Sequence, residues 1–351
     1  MSFSLYRIST AVRSFRALYT LPQDQVDSFL GAYDIFDHDW TNEDELRRQM
    51  GSDYYREIKR KIVDYYSVLN HLCTLGEIEK MYIPPAMDLS RSIHENQTLF
   101  EQQMARDLGL KAGSRVLDIG CGRGRIACGM TAYSGASVTG INLDPGQVAS
   151  GNEHARRQGL AERCQFQVGD MNDLPLPFAV ASFDAVYHVQ AFSYAKDLEK
   201  LFREIYRLLK PGATFACLDW VTLENYDPGN PHHLELMRRI KPLIGAIGTP
   251  TVEQYLSPLR KAGLEILVSK NASINGLQAP LIETAERFYS HASTLIELSV
   301  KCRILPRHFK VLFDRLTKDG DALIEADRAG LSTTSYYIVA QKPEGCNSTK
   351  L

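Results

Sequence analysis

The chain has 351 residues, with 40 Lys and Arg against 42 Asp and Glu, so its formal net charge is −2. With 44% apolar and 23% charged residues it has the make-up of a folded globular protein, which excludes a disordered or fibrous one. The balanced charge offers no electrostatic footprint for nucleic acid. Seven Cys without a C-x-x-C spacing exclude a disulfide scaffold and a Cys-rich zinc site, and they point to a reducing, intracellular, cytoplasmic setting.

No apolar run approaches the ~20 residues that a spanning helix needs. Residues 1–23 carry Arg7, Arg13 and Arg16 and no acid before Asp24, with Leu5, Tyr6, Ile8, Val12, Phe15, Leu18 and Tyr19 interleaved. This segment is a leader or a helix docked on the domain; peripheral membrane contact is the other reading of such a pattern. Residues 24–103 are acidic-aromatic and mostly helical. From residue 104 to 270, strand and helix signals alternate, as in an α/β fold with a parallel sheet and crossover helices. The strands are Val116–Ile119, Ala136–Ile141, Cys164–Val168, Phe183–Tyr187, Thr214–Val221 and Leu264–Val268. Helices lie between them over Arg125–Tyr133, Gln147–Gln158, Leu198–Lys210 and Val252–Ala262, the third closed by Pro211-Gly212. Residues 271–351 bring further helix and a last strand over Ser335–Ala340.

The sharpest motif is Asp118-Ile-Gly120-Cys-Gly122-Arg-Gly124, at the end of the first strand and ahead of a helix. Glycines there let the backbone turn tightly and approach a ligand closely. The third Gly comes one residue earlier than in the dinucleotide fingerprint, and the acid stands directly before the glycines. There it can meet a ligand ammonium, which suits S-adenosyl-L-methionine. Asn142 and Asp144, with Gln147, follow the second strand, where ribose hydroxyls are read; Asp170 and Met171 follow the third, where an adenine can be held. Each polar residue alone reads equally as a turn residue or a helix cap.

These residues resemble the sterol 24-C-methyltransferase family. The carriers are Val116–Gly124, Val138–Asn142 with Gln147-Val148, Ser182–Tyr187, Glu204–Gly212 and, most specifically, Trp220-Val-Thr222 followed by Asn225-Tyr-Asp227 and Asn230-Pro-His232. The resemblance implies a class I methyltransferase (Rossmann-like) sheet, bound S-adenosylmethionine, a bulky apolar substrate under a helical cap built from both ends of the chain, and a homodimer as an open option. No metal constellation is expected from the residues, because the nine His lie far apart except His232-His233.

The departures fall on residues that would do chemistry. The family's aromatic-rich Tyr-Glu-Tyr-Gly-Trp segment is replaced by Glu79–Pro85, leaving Tyr82, and its Ile-Glu-Ala-Thr-Cys-His-Ala-Pro after the fourth strand reads Val189-Gln190-Ala-Phe192-Ser-Tyr194-Ala-Lys196. Methylating an isolated alkene makes a carbocation, which needs aromatic faces and then a base. Gln190 is no base, but its amide can donate and accept hydrogen bonds to a neutral substrate, so it stays a catalytic candidate. Beside it stand His188, Asp219 and Tyr194, the candidate replacement bases, with Tyr82, Phe192 and Trp220 as pocket walls. The fold's base rate puts C-methyl transfer to a polyketide or terpenoid first. The alternative is a pericyclase similar to fungal ilicicolin-type Diels–Alderases, using the sulfonium as a fixed charge. An intact Asp118 and three glycines argue against a scaffold with a vestigial site.

Overall fold

A computed structural model of the chain describes residues 3–38, 43–75 and 79–344. In chain order its first helices are α1 (Phe3–Tyr19), α2 (Gln23–Gly31), α3 (Glu43–Met50), α4 (Tyr54–Leu75) and α5 (Ile93–Asp107). Strand and helix then alternate: β1 (Arg115–Ile119), α6 (Arg125–Ser134), β2 (Ser137–Asn142), α7 (Pro145–Arg157), β3 (Cys164–Val168), β4 (Phe183–Val189), α8 (Leu198–Leu208) and β5 (Leu209–Thr222). The rest is α9 (Pro231–Ile244), α10 (Val252–Lys261), β6 (Glu265–Asn271), α11 (Ala279–Lys301), α12 (Arg307–Thr317), α13 (Gly320–Arg328) and β7 (Ser332–Gln341).

The chain divides into two compact units. One comprises residues 1–81, 227–248 and 279–328, the other residues 82–226, 249–278 and 329–351. The sheet unit thus takes α5 and β7 from stretches that the sequence groups with the flanking helices.

In the sheet unit the strand order is β3-β2-β1-β4-β5-β7-β6. The pairs from β3 to β5 are parallel, while β7 is antiparallel to both β5 and β6. The strands of the alternating middle, β1 to β5, form the expected parallel sheet; side-chain period marks β6 and β7 as strands but not their direction. The order reverses between β1 and β4, and in open α/β sheets ligands bind beyond the strand C-termini at such a switch point. Both faces are dry. Val116, Val138, Phe166 and Tyr187 pack with Phe100 and Met104 of α5 on one side. Leu117, Ile119 and Val186 pack with Leu201, Phe202, Ile205 and Leu208 of α8 on the other. Burial of both faces explains why these strands read as apolar runs. Helix α8 stops at Leu208, two residues before its expected end, because Leu209 turns extended and pairs with Phe183.

β7 begins three residues earlier than the sequence pattern suggests. Its Ser332-Thr333-Thr334-Ser335 start is fully buried. The Gln278 amide oxygen accepts from the Thr334 N–H and hydroxyl at 3.1 and 3.0 Å, and Ser335 donates to Asn271 at 2.8 Å. Thr333, Thr334 and Ser335 are tolerated there because their hydroxyls find partners, whereas the Ser332 hydroxyl has none among the described residues.

In the helical unit, α1 packs on α4, and Phe29, Tyr33, Phe36 and Tyr65 form an edge-to-face and stacked ring cluster. Arg239 on α9 binds Asp319 and Asp321 at 2.8 and 2.7 Å, tying α9 to α13. Helix α1, over residues 3–19, thus packs on α4 within the helical unit. Among the described residues no helix is long and apolar enough to cross a membrane.

Candidate cofactor and active site

The turn after β1 is shaped by three glycines with positive φ: Gly120 (79°), Gly122 (51°) and Gly124 (67°). Their reasons differ. A Cβ on Gly120 would lie 2.5 Å from the Ala191 side chain, and one on Gly124 would lie 2.4 Å from the Phe166 ring. Both are held to hydrogen by neighbouring protein. A Cβ on Gly122 would meet only Gln147 Oε1, at 3.8 Å, so the space before it is a cradle. Gly124 then starts α6 in the left-handed conformation.

Asp118 closes β1, buried beside Tyr187, whose hydroxyl donates to Oδ2 at 2.8 Å. Burial pushes its carboxyl up to about 7, against the lowering effect of the Tyr187 bond. A carboxylate made uncomfortable by burial gains most from a cationic partner.

After β2, Asn142 Nδ2 donates to Gln147 Oε1 at 2.8 Å, so these two amides form one unit. Asp144 Oδ1 accepts from the Gly146 and Gln147 N–H groups as the N-cap of α7, which is the helix-cap reading of that residue. After β3, Asp170 Oδ1 accepts from Asn172 N at 2.9 Å, and Met171 Cε comes within 3.9 Å of the Gly120 Cβ position. Asn172 donates to the Tyr194 carbonyl and accepts from Lys196 N, which joins this turn to the one after β4.

The turn after β4 is occupied with itself. Gln190 has φ 49°. Its Nε2 donates to the carbonyls of Ile83 and Thr334 at 2.9 and 2.8 Å, and its Oε1 accepts from Ile83 N at 3.2 Å. Its amide is committed to backbone and is not the free substrate donor that the sequence suggested. His188 is corrected too. It is fully buried, its ring lies 3.4 Å from that of Phe192 at 9°, and burial drives its imidazole well below its ordinary value. Nδ1 stands 3.7 Å from Asp219 Oδ2, beyond a hydrogen bond. A neutral, sealed imidazole is no substrate base.

Asp219 is also buried, which lifts its carboxyl to about 6. Its oxygens accept from Trp220 N (2.8 Å), Tyr255 Oη (2.9 Å) and Phe192 N (3.2 Å). It behaves as a brace between β5, the β4 turn and α10. Of the expected wall residues, Phe192 packs against Phe202 and Phe215, and Tyr82 is buried with its hydroxyl on Glu101 at 3.0 Å. Trp220 is buried, and its Nε1 has no hydrogen-bond partner among the described residues.

A methyltransferase-domain family model matches residues 117–217, which run from β1 into β5. The botryococcene C-methyltransferase of Botryococcus braunii is 31% identical over 262 residues, spanning 72% of this chain and 68% of the relative. The chain belongs to the sterol 24-C-methyltransferase family. A sterol 24-C-methyltransferase of Gibberella zeae is 29% identical over 325 residues, 86% of this chain and 84% of its own. Among solved structures, the [4+2]-cyclase SpnF superposes with a TM-score of 0.62 at 23% identity, covering 81% of this chain and 96% of that one; this likeness shows the fold.

As a member of this family the protein is an S-adenosylmethionine-dependent enzyme, and its β1 turn fits that cofactor. The Gly122 cradle has room for ligand, and Asp118 offers a buried anion for an ammonium group. Three features escaped the sequence reading. Phe166 fills a nest in which a Cβ on Gly124, Gly140 or Gly151 would lie within 3 Å of its ring. Tyr187 orients Asp118, and the Gln190 clamp spans 107 and 144 residues of chain. Only the glycines at 140 and 151 gave any signal, and nothing local said what they make room for.

Proposed function

We propose that this enzyme works with S-adenosylmethionine on a bulky, apolar polyketide or terpenoid of natural-product biosynthesis, adding methyl to a carbon that is already electron-rich, such as an enol carbon. The observation that carries this reading is the neutral, backbone-bound Gln190 beside a complete cofactor cradle. When bound, the cofactor supplies an electrophilic methyl group on a positively charged sulfonium. Asp118 would hold the ammonium group, and the Asn142–Gln147 pair would meet the ribose hydroxyls. Asp219 fixes the backbone N–H groups of Phe192 and Trp220. The buried, unpaired Trp220 Nε1 is a donor that a substrate carbonyl or enol oxygen would complete; leaving such a group unmet costs about 1–3 kcal/mol.

An isolated alkene would need cation-stabilising faces and a base after methylation. An enol needs neither, because its own O–H proton can pass to water. The same neutral turn favours a second reading. A pericyclase needs no base, only a substrate held folded, hydrogen-bonded at a carbonyl and near a fixed positive charge. The deciding experiment incubates the full-length protein with cofactor and enolic polyketides or terpenes. A product heavier by one methylene, with equimolar demethylated cofactor, supports methyl transfer. Conversion at unchanged mass without demethylated cofactor supports the pericyclase, and conversion indifferent to cofactor removal defeats both.

A further inference from the structure

The helical unit exposes apolar side chains that its own packing does not use. On α1, Ser14 and Leu18 face inward. Leu18 is fully buried and its carbonyl accepts from His308 Nε2 at 2.7 Å. Val12, Phe15, Arg16 and Tyr19 form a different stripe at i, i+3, i+4, i+7 spacing. Its apolar members are 60%, 42% and 44% exposed.

This stripe continues onto the connection between α11 and α12. The Phe15 and Tyr19 rings lie 5.7 and 6.5 Å from that of Phe309. Tyr19 shares a shallow cleft with Arg303 and Arg307. Next in the chain to these, Leu298 and Ile304 are 58% and 64% exposed. The charges are one-sided. Described α1 has no acid in its sequence, and Arg16, Arg303 and Arg307 are exposed with no carboxylate partner among the described residues. Neighbouring Lys301 and Lys310 are already neutralised by Glu297 and Asp314, at 2.7 and 2.5 Å.

We infer that this face docks on an anionic lipid surface. The aromatic and aliphatic side chains enter the headgroup–acyl boundary, and the three guanidinium groups meet lipid phosphates. A second copy of the chain fits worse, because a two-fold contact is self-complementary and would set the same unpaired cations against each other. The inference is independent of the reaction proposed above.

The test is flotation of the full-length protein with vesicles of phosphatidylcholine, with and without phosphatidylserine. The protein is expected to float with the anionic vesicles, much less with the neutral ones, and to be released by high salt. Each basic residue at an anionic leaflet contributes roughly fivefold to partitioning. Combined Arg16→Gln, Arg303→Gln and Arg307→Gln should therefore lower it by about two orders of magnitude, with the thermal midpoint and cofactor binding unchanged. Leu298→Ser with Ile304→Ser should lower it on either vesicle. Equal partitioning of the triple Arg variant and the native protein would overturn the inference. So would absent vesicle binding together with a sedimenting dimer that Leu298→Ser dissociates.

Discussion

The turns after β1 and β4 stand side by side at the switch point of the sheet, yet they are built on opposite plans. The β1 turn keeps its side chains small and leaves space, with Gly122 facing a cradle and Asp118 held beneath it by Tyr187. The β4 turn fills its space with its own bonds: the Gln190 amide on Ile83 and Thr334, the His188 ring on Phe192, and Asp219 on two backbone N–H groups. On the proposed reading the β1 turn keeps the cofactor's place, while Gln190, which the resemblance sets against a family Glu, serves as a structural clamp. Retained binding beside a remodelled reaction edge is how a family moves to a new substrate without changing fold.

The largest effect should come from closing the cradle. Gly122→Val puts a β-branched side chain at φ 51° in the open space and should weaken cofactor binding by roughly a hundredfold or more in a calorimetric titration. Native-like binding would mean that the cofactor lies elsewhere. The β4 turn is tested next by Gln190→Glu. The carboxylate loses two donations and faces two carbonyls, so stability should fall by about 2–4 kcal/mol in denaturant titration. The loss should shrink at low pH, where the protonated acid donates again. An unchanged midpoint would make the clamp idle.

A pH series sharpens the contrast further. Because burial raises Asp118 to about 7 and Asp219 to about 6, the folded protein holds these protons more tightly than the unfolded chain. These two carboxyls should therefore stabilise the cofactor-free protein most below about pH 4, a contribution that declines as pH rises to 7. Cofactor affinity should run the other way, rising to about pH 7 and levelling above it, since an ammonium group prefers the ionised Asp118. Asp118→Asn should flatten both curves. The smallest effect is expected from Trp220→Phe, which removes the unpaired donor. Stability should change by no more than about 1 kcal/mol while substrate turnover falls. Equal turnover would release Trp220 from substrate contact.

The strands were legible because they are buried on both faces and end in glycine turns, so apolar runs mark them even without alternation. The cofactor turn was legible for the same local reason: its geometry demands Gly and Asp within seven consecutive residues. The buried polar start of β7 was not, because the Gln278 amide that accepts from Thr333 and Thr334 lies more than fifty residues away in the chain. Gln190 was misread in the same way. Its replacement of a family Glu was visible, but its partners at 83 and 334 were not, and those partners decide whether the amide is free. His188 looked like a base in sequence and is a sealed ring in space.

The most direct test of this contrast is calorimetric titration of S-adenosylmethionine into the native protein and the Asp118→Asn variant at pH 8. Removing one partner of a buried charge pair costs about 2–5 kcal/mol, so the variant should bind at least about thirtyfold more weakly, with a far-ultraviolet spectrum like that of the native protein. Equal affinity in the two proteins would contradict the claim that the β1 turn is the intact cofactor site.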